Sequence, residues 1–312
     1  MKAKQSKPGN WWLKTLTLCL SAVGMTACDD DGLSEGDQNY FTSSRGQFTA
    51  TITDGSGNPT TLFLIPGATA GTAVVTFDGS NPRHWRSETS ATVQVGTYQN
   101  DMVIPETVTA GGVTYTITGI GNEAFTGCRE YTSSGVTFWN GLKSVVLPET
   151  VTWLGEGAFA LTDITSVNIP QGVTELPMGC FADCTKLTAI SVPAQVKSIG
   201  YMCYYGCTGA TSLTLAEGVT RIGEMAFFDC NKLTEVTIPA SVSSIGNLAF
   251  GGRESRRSKI AAYHIASATP PTLEGTLFQA ADGVSPVIYV PVGSAAAYQS
   301  AAGWSALTIE EE

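Results

Sequence analysis

The hydrophobic positions after about residue 100 recur in one pattern, clearest in Leu233–Phe250, LTEVTIPASVSSIGNLAF. As a template it reads L-x-x-V-x-I-P-x-x-V-x-x-I-G-x-x-A-F. The template recurs as Leu142–Phe159, Ile164–Phe181, Leu187–Tyr204 and Ala210–Phe227. Its turn anchors Pro148, Pro170, Pro193, Ala216 and Pro239 lie 22, 23, 23 and 23 residues apart, and Phe159, Phe181, Tyr204, Phe227 and Phe250 keep the same spacing. A fixed period of this size predicts a solenoid of stacked units. Leu233, Val236 and Ile238 suit a short strand with a buried face, and Pro239, lacking an N–H, ends it. Val242 and Ile245 return to the interior, Gly246 permits a tight turn, and Ala249-Phe250 closes the coil on a helical turn. One unit leaves its apolar edge open. Stacking makes a continuous core and a parallel strand ladder.

The I/L/V-P turns, the I/L-G-x-x-A-F blocks and the cysteines after the aromatic resemble the BspA-like leucine-rich-repeat family of bacterial surface proteins. The resemblance covers roughly residues 97–312. It implies a mostly β fold with short helical turns: a leucine-rich-repeat solenoid of about 23-residue repeats, with a parallel strand ladder and β caps at both ends. It also implies adhesion at host or neighbouring-cell surfaces, although a shared fold alone does not fix a function.

Outside the repeat the pattern changes. Lys2, Lys4, Lys7 and Lys14 precede the short apolar run Leu16–Gly24, as in a signal peptide and too short to span a bilayer. Met25-Thr26-Ala27-Cys28 resembles a bacterial lipobox. Processing there would leave Cys28 carrying acyl chains, and more than one chain gives stable membrane anchoring. Asp29-Asp30-Asp31 then opens a polar stretch to Asn39. It reads as a solvated tether, and it resembles the surface-export signals of Bacteroidetes lipoproteins. The expected organisation is a lipoprotein signal peptide over 1–27, a tether over 28–39, an N-terminal β cap over 40–96, repeats over 97–266 and a C-terminal cap over 267–312.

Within 40–96, Phe48–Thr53, Leu62–Ile65, Val74–Phe77 and Thr92–Val95 read as strands, with a turn cluster at 54–59. Trp85, in the loop Asn81–Arg86, either stacks on a sugar or partner or packs back on the cap; packing is the commoner fate of an aromatic. Two inserts interrupt the early repeats. One lies between Pro105 and Ile120, with Gly111-Gly112 as a hairpin turn. The other lies between Phe125 and Leu147 and carries Tyr131, Phe138 and Trp139. Inserts in solenoids often form the binding face, and Phe138 and Trp139 fit that role or the covering of a neighbouring coil. Near the end, Ser294 is placed to N-cap a helix through Ser300, and Trp304 to pack on the last coil.

Composition narrows the function. Charged residues make up 14 %, and the formal charge is −10. Beyond residue 27 there are 13 basic and 27 acidic residues, a net −14. That balance disfavours nucleic acid and anionic lipid. Arg253, Arg256, Arg257 and Lys259 form a basic cluster that fits an acidic partner or, more often, a solvated loop.

Six cysteines follow Cys28: Cys128, Cys180, Cys184, Cys203, Cys207 and Cys230. They recur because the repeat recurs, and C-x-x-x-C is not the common zinc spacing. Export permits disulfides, but parallel stacked side chains fit disulfide geometry poorly, so buried thiols are expected. His84 and His264 lie in different regions, and G-x-S-x-G, H-E-x-x-H and phosphate-loop signatures are absent from the sequence. Glu123, Glu156 and Glu224 recur periodically near the repeat glycines, which favours solvent-facing positions over a glycosidase pair.

The outward strand positions are Ser144/Val146, Ser166/Asn168, Ala189/Ser191, Ser212/Thr214 and Glu235/Thr237. They make a broad, nearly uncharged hydroxyl face suited to extended contact with a protein or glycan. The sequence therefore predicts a non-enzymatic, lipid-anchored surface protein of the outer membrane, with no cofactor and no metal. A glycan-binding accessory protein or an envelope scaffold are the alternatives.

Overall fold

The computed structural model describes residues 46–76, 98, 100–132, 135–139 and 141–312; of the side chains from 128 to 140, and of Arg256, nothing is described. The expected signal peptide, Cys28, the tether, Trp85, His84 and the strand at Thr92–Val95 lie outside these residues. The side chains of Tyr131, Phe138 and Trp139 do too.

The first three strands, β1 (Phe48–Thr53), β2 (Pro59–Pro66) and β3 (Thr72–Thr76), form an antiparallel meander. Strand β1 alternates, burying Ala50 and Ile52 and exposing its threonines. The turn cluster at Asp54–Asn58 closes as an Asx-type turn, in which Asp54 accepts from the Ser56 and Asn58 N–H groups at 2.9 and 2.8 Å. After β4 (Asn100–Val103) come β5 (Thr107–Ala110) and β6 (Val113–Ile120). Strands β5 and β6 pair as a hairpin across Gly111 and Gly112, whose φ values of 58° and 79° suit residues without a Cβ. Parallel pairing of β3 with β6 joins the meander to the first repeat.

The second insert is also a hairpin, of β7 (Cys128–Thr132) and β8 (Gly135–Trp139). Each later repeat, except the one that begins at Ile164, contributes an outer strand, and each contributes a two-residue inner strand after the turn. In chain order these are β9 (Leu142–Val146) and β10 (Trp153–Leu154), then β11 (Glu175–Leu176), β12 (Ala189–Val192), β13 (Ser198–Ile199), β14 (Ser212–Leu215), β15 (Arg221–Ile222), β16 (Glu235–Ile238), β17 (Ser244–Ile245), β18 (Ala262–Ile265) and β19 (Thr272–Leu273). The chain closes with β20 (Val287–Val290), the short helix α1 (Ala295–Ser300) and β21 (Thr308–Glu311). The fold is mostly β with almost no helix.

Inner strand β10 pairs in parallel with β6, and the later inner strands form one parallel sheet, β11-β13-β15-β17-β19. The outer strands do not form one ladder. They divide into β4-β9, β12-β14 and β16-β18-β20-β21. The expected continuous ladder is thus interrupted, and the first break has a visible cause. Residues 165–169 form no strand and make a single β-bridge, Val145 to Val167. There the Asn168 side chain takes over the main-chain pairing. Its Nδ2 donates to the Leu147 carbonyl at 2.8 Å, and its Oδ1 accepts the Leu147 N–H at 2.8 Å.

The core is a column of aromatic rings. Phe125, Phe159, Phe181, Tyr204, Phe227 and Phe250 stack with centroids 5.0–5.5 Å apart and planes within 12°. The repeat period sets that spacing, because adjacent coils sit about one strand separation apart, ~4.8 Å. Repeat glycines admit the close approach. A Cβ on Gly246 would stand 2.2 Å from the Glu224 amide nitrogen. The column ends where Phe250 meets Tyr263 edge-on, at 5.7 Å and 71°.

Beside the column runs a ladder of thiols. Cys184, Cys207 and Cys230 donate to the carbonyls of Phe159, Phe181 and Tyr204 at 3.1, 3.2 and 3.3 Å. Cys180, Cys184, Cys203, Cys207 and Cys230 are all free and buried. At the end of the chain, Trp304 is fully buried and its Nε1 donates to the Pro271 carbonyl at 2.8 Å. Ser294 does not cap α1: its Oγ donates to the Pro291 carbonyl, and the Ala295 N–H instead reaches the Glu311 carboxylate at 2.9 Å. The Gly293 and Ala295 amides draw the Glu311 carboxyl below its ordinary range.

Candidate functional site: the outer strand face

Strand alternation puts every second residue of the outer strands outside. Parallel register aligns them into two rows. The first runs through Asp101, Ser144, Ser166, Ala189, Ser212, Glu235, Ala262, Val287 and Thr308. The second runs through Val103, Val146, Asn168, Ser191, Thr214, Thr237, His264, Tyr289 and Glu310. Between Ser166 and Ala189, and between Ser212 and Glu235, the rows follow the repeat template and not a paired strand.

Most of the residues read from the sequence as outward are exposed. Ser166, Ala189, Ser191, Ser212, Thr214, Glu235 and Thr237 face solvent, and Val146 is 52 % exposed beside Val103 at 44 %. Ser144 is half-buried, with its Oγ donating to Asp101 at 2.7 Å. Asn168 is exposed, but both ends of its amide are spent on the Leu147 backbone. It staples the fold and has less to offer a ligand than its position suggested.

The face changes character along its length. Val103 and Val146 make the early end apolar, and Ser191, Ser212, Thr214 and Thr237 make the middle a hydroxyl surface. The late end is aromatic and acidic. His264 and Tyr289 stack with centroids 5.0 Å apart at 12°. The His264 Nδ1 lies 2.9 Å from both carboxylate oxygens of Glu312. Sequence reasoning stopped the face at Thr237. It weighed His264 only as a catalytic partner and did not continue the outward count into β18, β20 and β21. The alternation Tyr263-His264-Ile265 and Ile288-Tyr289-Val290 carried the signal.

Other candidate chemistry resolves into structure. His264 lies on the outer face and the five described thiols lie in the interior, so the two do not converge. Burial pushes the Cys184 thiol up to about 12 and holds those of Cys180, Cys203 and Cys207 well above their usual range. Part of the basic cluster is neutralised. Arg253 pairs with the fully buried Asp229 at 2.7 Å and donates to the Tyr205 hydroxyl at 2.8 Å, and Arg257 lies 3.4 Å from Asp282. Glu156 and Glu224 are exposed three coils apart, and Glu123 holds a left-handed φ of 53°. Among the described residues no group of three or more metal-ligating side chains converges.

The model of the BspA type leucine rich repeat region matches residues 137–256 in six copies. No curated protein matches the chain. Among solved structures, the pneumococcal vaccine antigen PcpA is similar at 15 % identity and a TM-score of 0.44, covering 79 % of this chain and 51 % of that one, so the chain spans about half the antigen's length. A leucine-rich repeat protein from Bacteroides ovatus is 17 % identical, with a TM-score of 0.43 and coverage of 80 % and 75 %. A leucine rich cell surface protein from Faecalibacterium prausnitzii is 22 % identical, with a TM-score of 0.43 and coverage of 78 % and 65 %. Residues 137–256, which hold most of the aromatic column, thus carry six leucine-rich repeats of the BspA type.

Proposed function

We propose that the protein is a non-enzymatic cell-surface binding protein whose repeats wind as one leucine-rich-repeat solenoid and whose outer strand face adheres to a host or neighbouring-cell protein. One observation carries this reading. Two outward rows of mostly exposed side chains cross nine successive coils. At about 4.8 Å per strand, the face extends roughly 40 Å, a length suited to extended contact and long for a single small-molecule site. The lipobox-like Cys28 and the acidic residues after it support anchoring in the outer membrane with outward exposure.

The test is a binding screen of the chain from residue 29 onward against matrix proteins and a glycan array together. A protein ligand is expected, with binding lost in Thr214→Arg, which places a long charged side chain in the middle of the face. A protein ligand indifferent to Thr214→Arg would move the site off this face. A response confined to glycans would replace adhesion with polysaccharide capture. Labelling of the processed N-terminus by palmitate, abolished in Cys28→Ala, tests the anchor, and protease shaving of intact cells tests exposure.

A further inference from the structure

The two outward rows are electrostatically one-sided. Asp101, Glu235 and Glu310 stand on them, Glu312 adjoins them, and neither row carries a lysine or arginine. Two of these carboxylates already have partners, Asp101 with the Ser144 hydroxyl and Glu312 with His264. Among the described residues, no ion pair reaches Glu235 or Glu310, although Arg221, Arg253 and Arg257 pair with acids elsewhere. Both carboxylates are exposed, so the loss of each long side chain's freedom in a weak surface pair is avoided until a partner arrives.

The geometry between the two acids is fixed by the sheet. Glu235 is on β16 and Glu310 on β21, with β18 and β20 between them in one parallel sheet. Glu235 stands in the first row and Glu310 in the second, so three strand separations of ~4.8 Å and a two-residue offset of ~7 Å along the strands set the two about 16 Å apart on the diagonal. The stacked rings of His264 and Tyr289 stand on the two intervening strands, in the same row as Glu310, with His264 held in place by Glu312. An extended polypeptide rises about 3.3 Å per residue and shows the same side at every second residue, so residues i and i+4 lie about 13 Å apart on one side, and long basic side chains span the remaining ~3 Å.

We propose that the late end of the strand face docks an extended, cationic polypeptide segment of a partner protein, taking basic side chains four residues apart onto Glu235 and Glu310. The His264–Tyr289 stack supports the intervening stems. Lysine and arginine bury their methylene stems on apolar surface while the charged head stays wet, which fits carboxylates standing at either side of a ring pair. This assignment rests on the proposed adhesive role of the face and narrows its partner to one charge class.

The experiment measures fluorescence anisotropy with three synthetic peptides of equal length: two of equal composition with lysines either at i and i+4 or adjacent, and a third with glutamates at i and i+4. The i, i+4 lysine peptide is expected to bind the full chain about tenfold more tightly than the adjacent-lysine peptide, with affinity falling as salt rises. Glu235→Gln and Glu310→Gln are each expected to weaken it severalfold, and Glu149→Gln, an acid away from the face, to leave it unchanged. Equal binding of both lysine peptides, or equal weakening by Glu149→Gln, would reduce the effect to bulk charge and overturn the assignment. If Thr214→Arg abolishes capture of a matrix protein while none of the peptides binds, the adhesive face stands and the cationic segment falls.

Discussion

The rings of Phe159 and Phe181 lie 5.3 Å apart and within 6° of parallel, one coil above the next, both fully buried. Each contacts a ring above and below, so the column is cooperative in packing. Phe181→Ala would remove one ring from the middle and leave a cavity that two rigid neighbours are poorly placed to fill. The expected cost is about 3–5 kcal/mol, read as a fall in melting temperature. An unchanged melting temperature would mean that the column does not carry the core.

The thiol ladder makes a reactivity prediction. With Cys184 pushed up to about 12 by burial, native protein at pH 8 is expected to resist iodoacetamide at all five described thiols. Unfolding in denaturant should expose them together. The sign of the linkage follows from the raised value: the neutral thiol is the folded form, so its contribution is full below the ordinary thiol range near 9 and is lost as pH rises from there toward 12. Rapid labelling of the native chain would show that the interior opens.

Cys207 tests the hydrogen bond itself. Cys207→Ala leaves the buried Phe181 carbonyl without this donor and removes a packed sulfur, at an expected cost of about 1–3 kcal/mol. Cys207→Ser keeps a donor on a shorter side chain and should cost less than alanine. Urea midpoints of the two variants give the order.

Asn168 predicts a local effect. Asn168→Ala deletes two hydrogen bonds to Leu147 in a segment that makes a single β-bridge. A loss of about 1–2 kcal/mol is expected, since the site is exposed and water replaces part of what is lost. Hydrogen exchange at residues 145–169 should rise more than at β12 or β14. Asn168→Asp keeps the acceptor but turns an oxygen on the Leu147 carbonyl, and should be no better than alanine.

Asp229 and Arg253 form the buried ion pair of the late repeats. Arg253→Ala strands a fully buried carboxylate, an outcome that typically costs about 3–5 kcal/mol. Arg253 is one-third exposed, so water reaches the vacated site and the lower end is expected. Recovery in Asp229→Asn with Arg253→Ala would separate the stranded charge from lost packing.

Much of the fold was legible because the repeat writes it six times. A 23-residue period fixes which residues stack, so Phe159 to Phe250, the outward hydroxyls and the buried cysteines could all be placed from spacing. The break at Asn168 was not legible, because its cause is a side chain that mimics a backbone partner, and the template counts only whether a position points outward. The helix cap went to Glu311 over Ser294 because the donor and acceptor are 16 residues apart and meet only through β21. The late end of the face was missed for a similar reason. Tyr289 and Glu310 join His264 only when β20 and β21 continue the parallel sheet.

The aromatic column also acts as a phase reference for length change. From Phe125 to Phe159 the chain runs 34 residues, against 22 or 23 elsewhere, yet these two rings stack at 5.2 Å like the rest. The added residues leave the column as the β7–β8 hairpin and return to it in register. Duplication, deletion or loop growth that brings an aromatic back to the axis therefore preserves the alignment of the outer rows. A chain built this way can lengthen or shorten its reach by whole coils, and vary what it displays between them, without redesigning its interior.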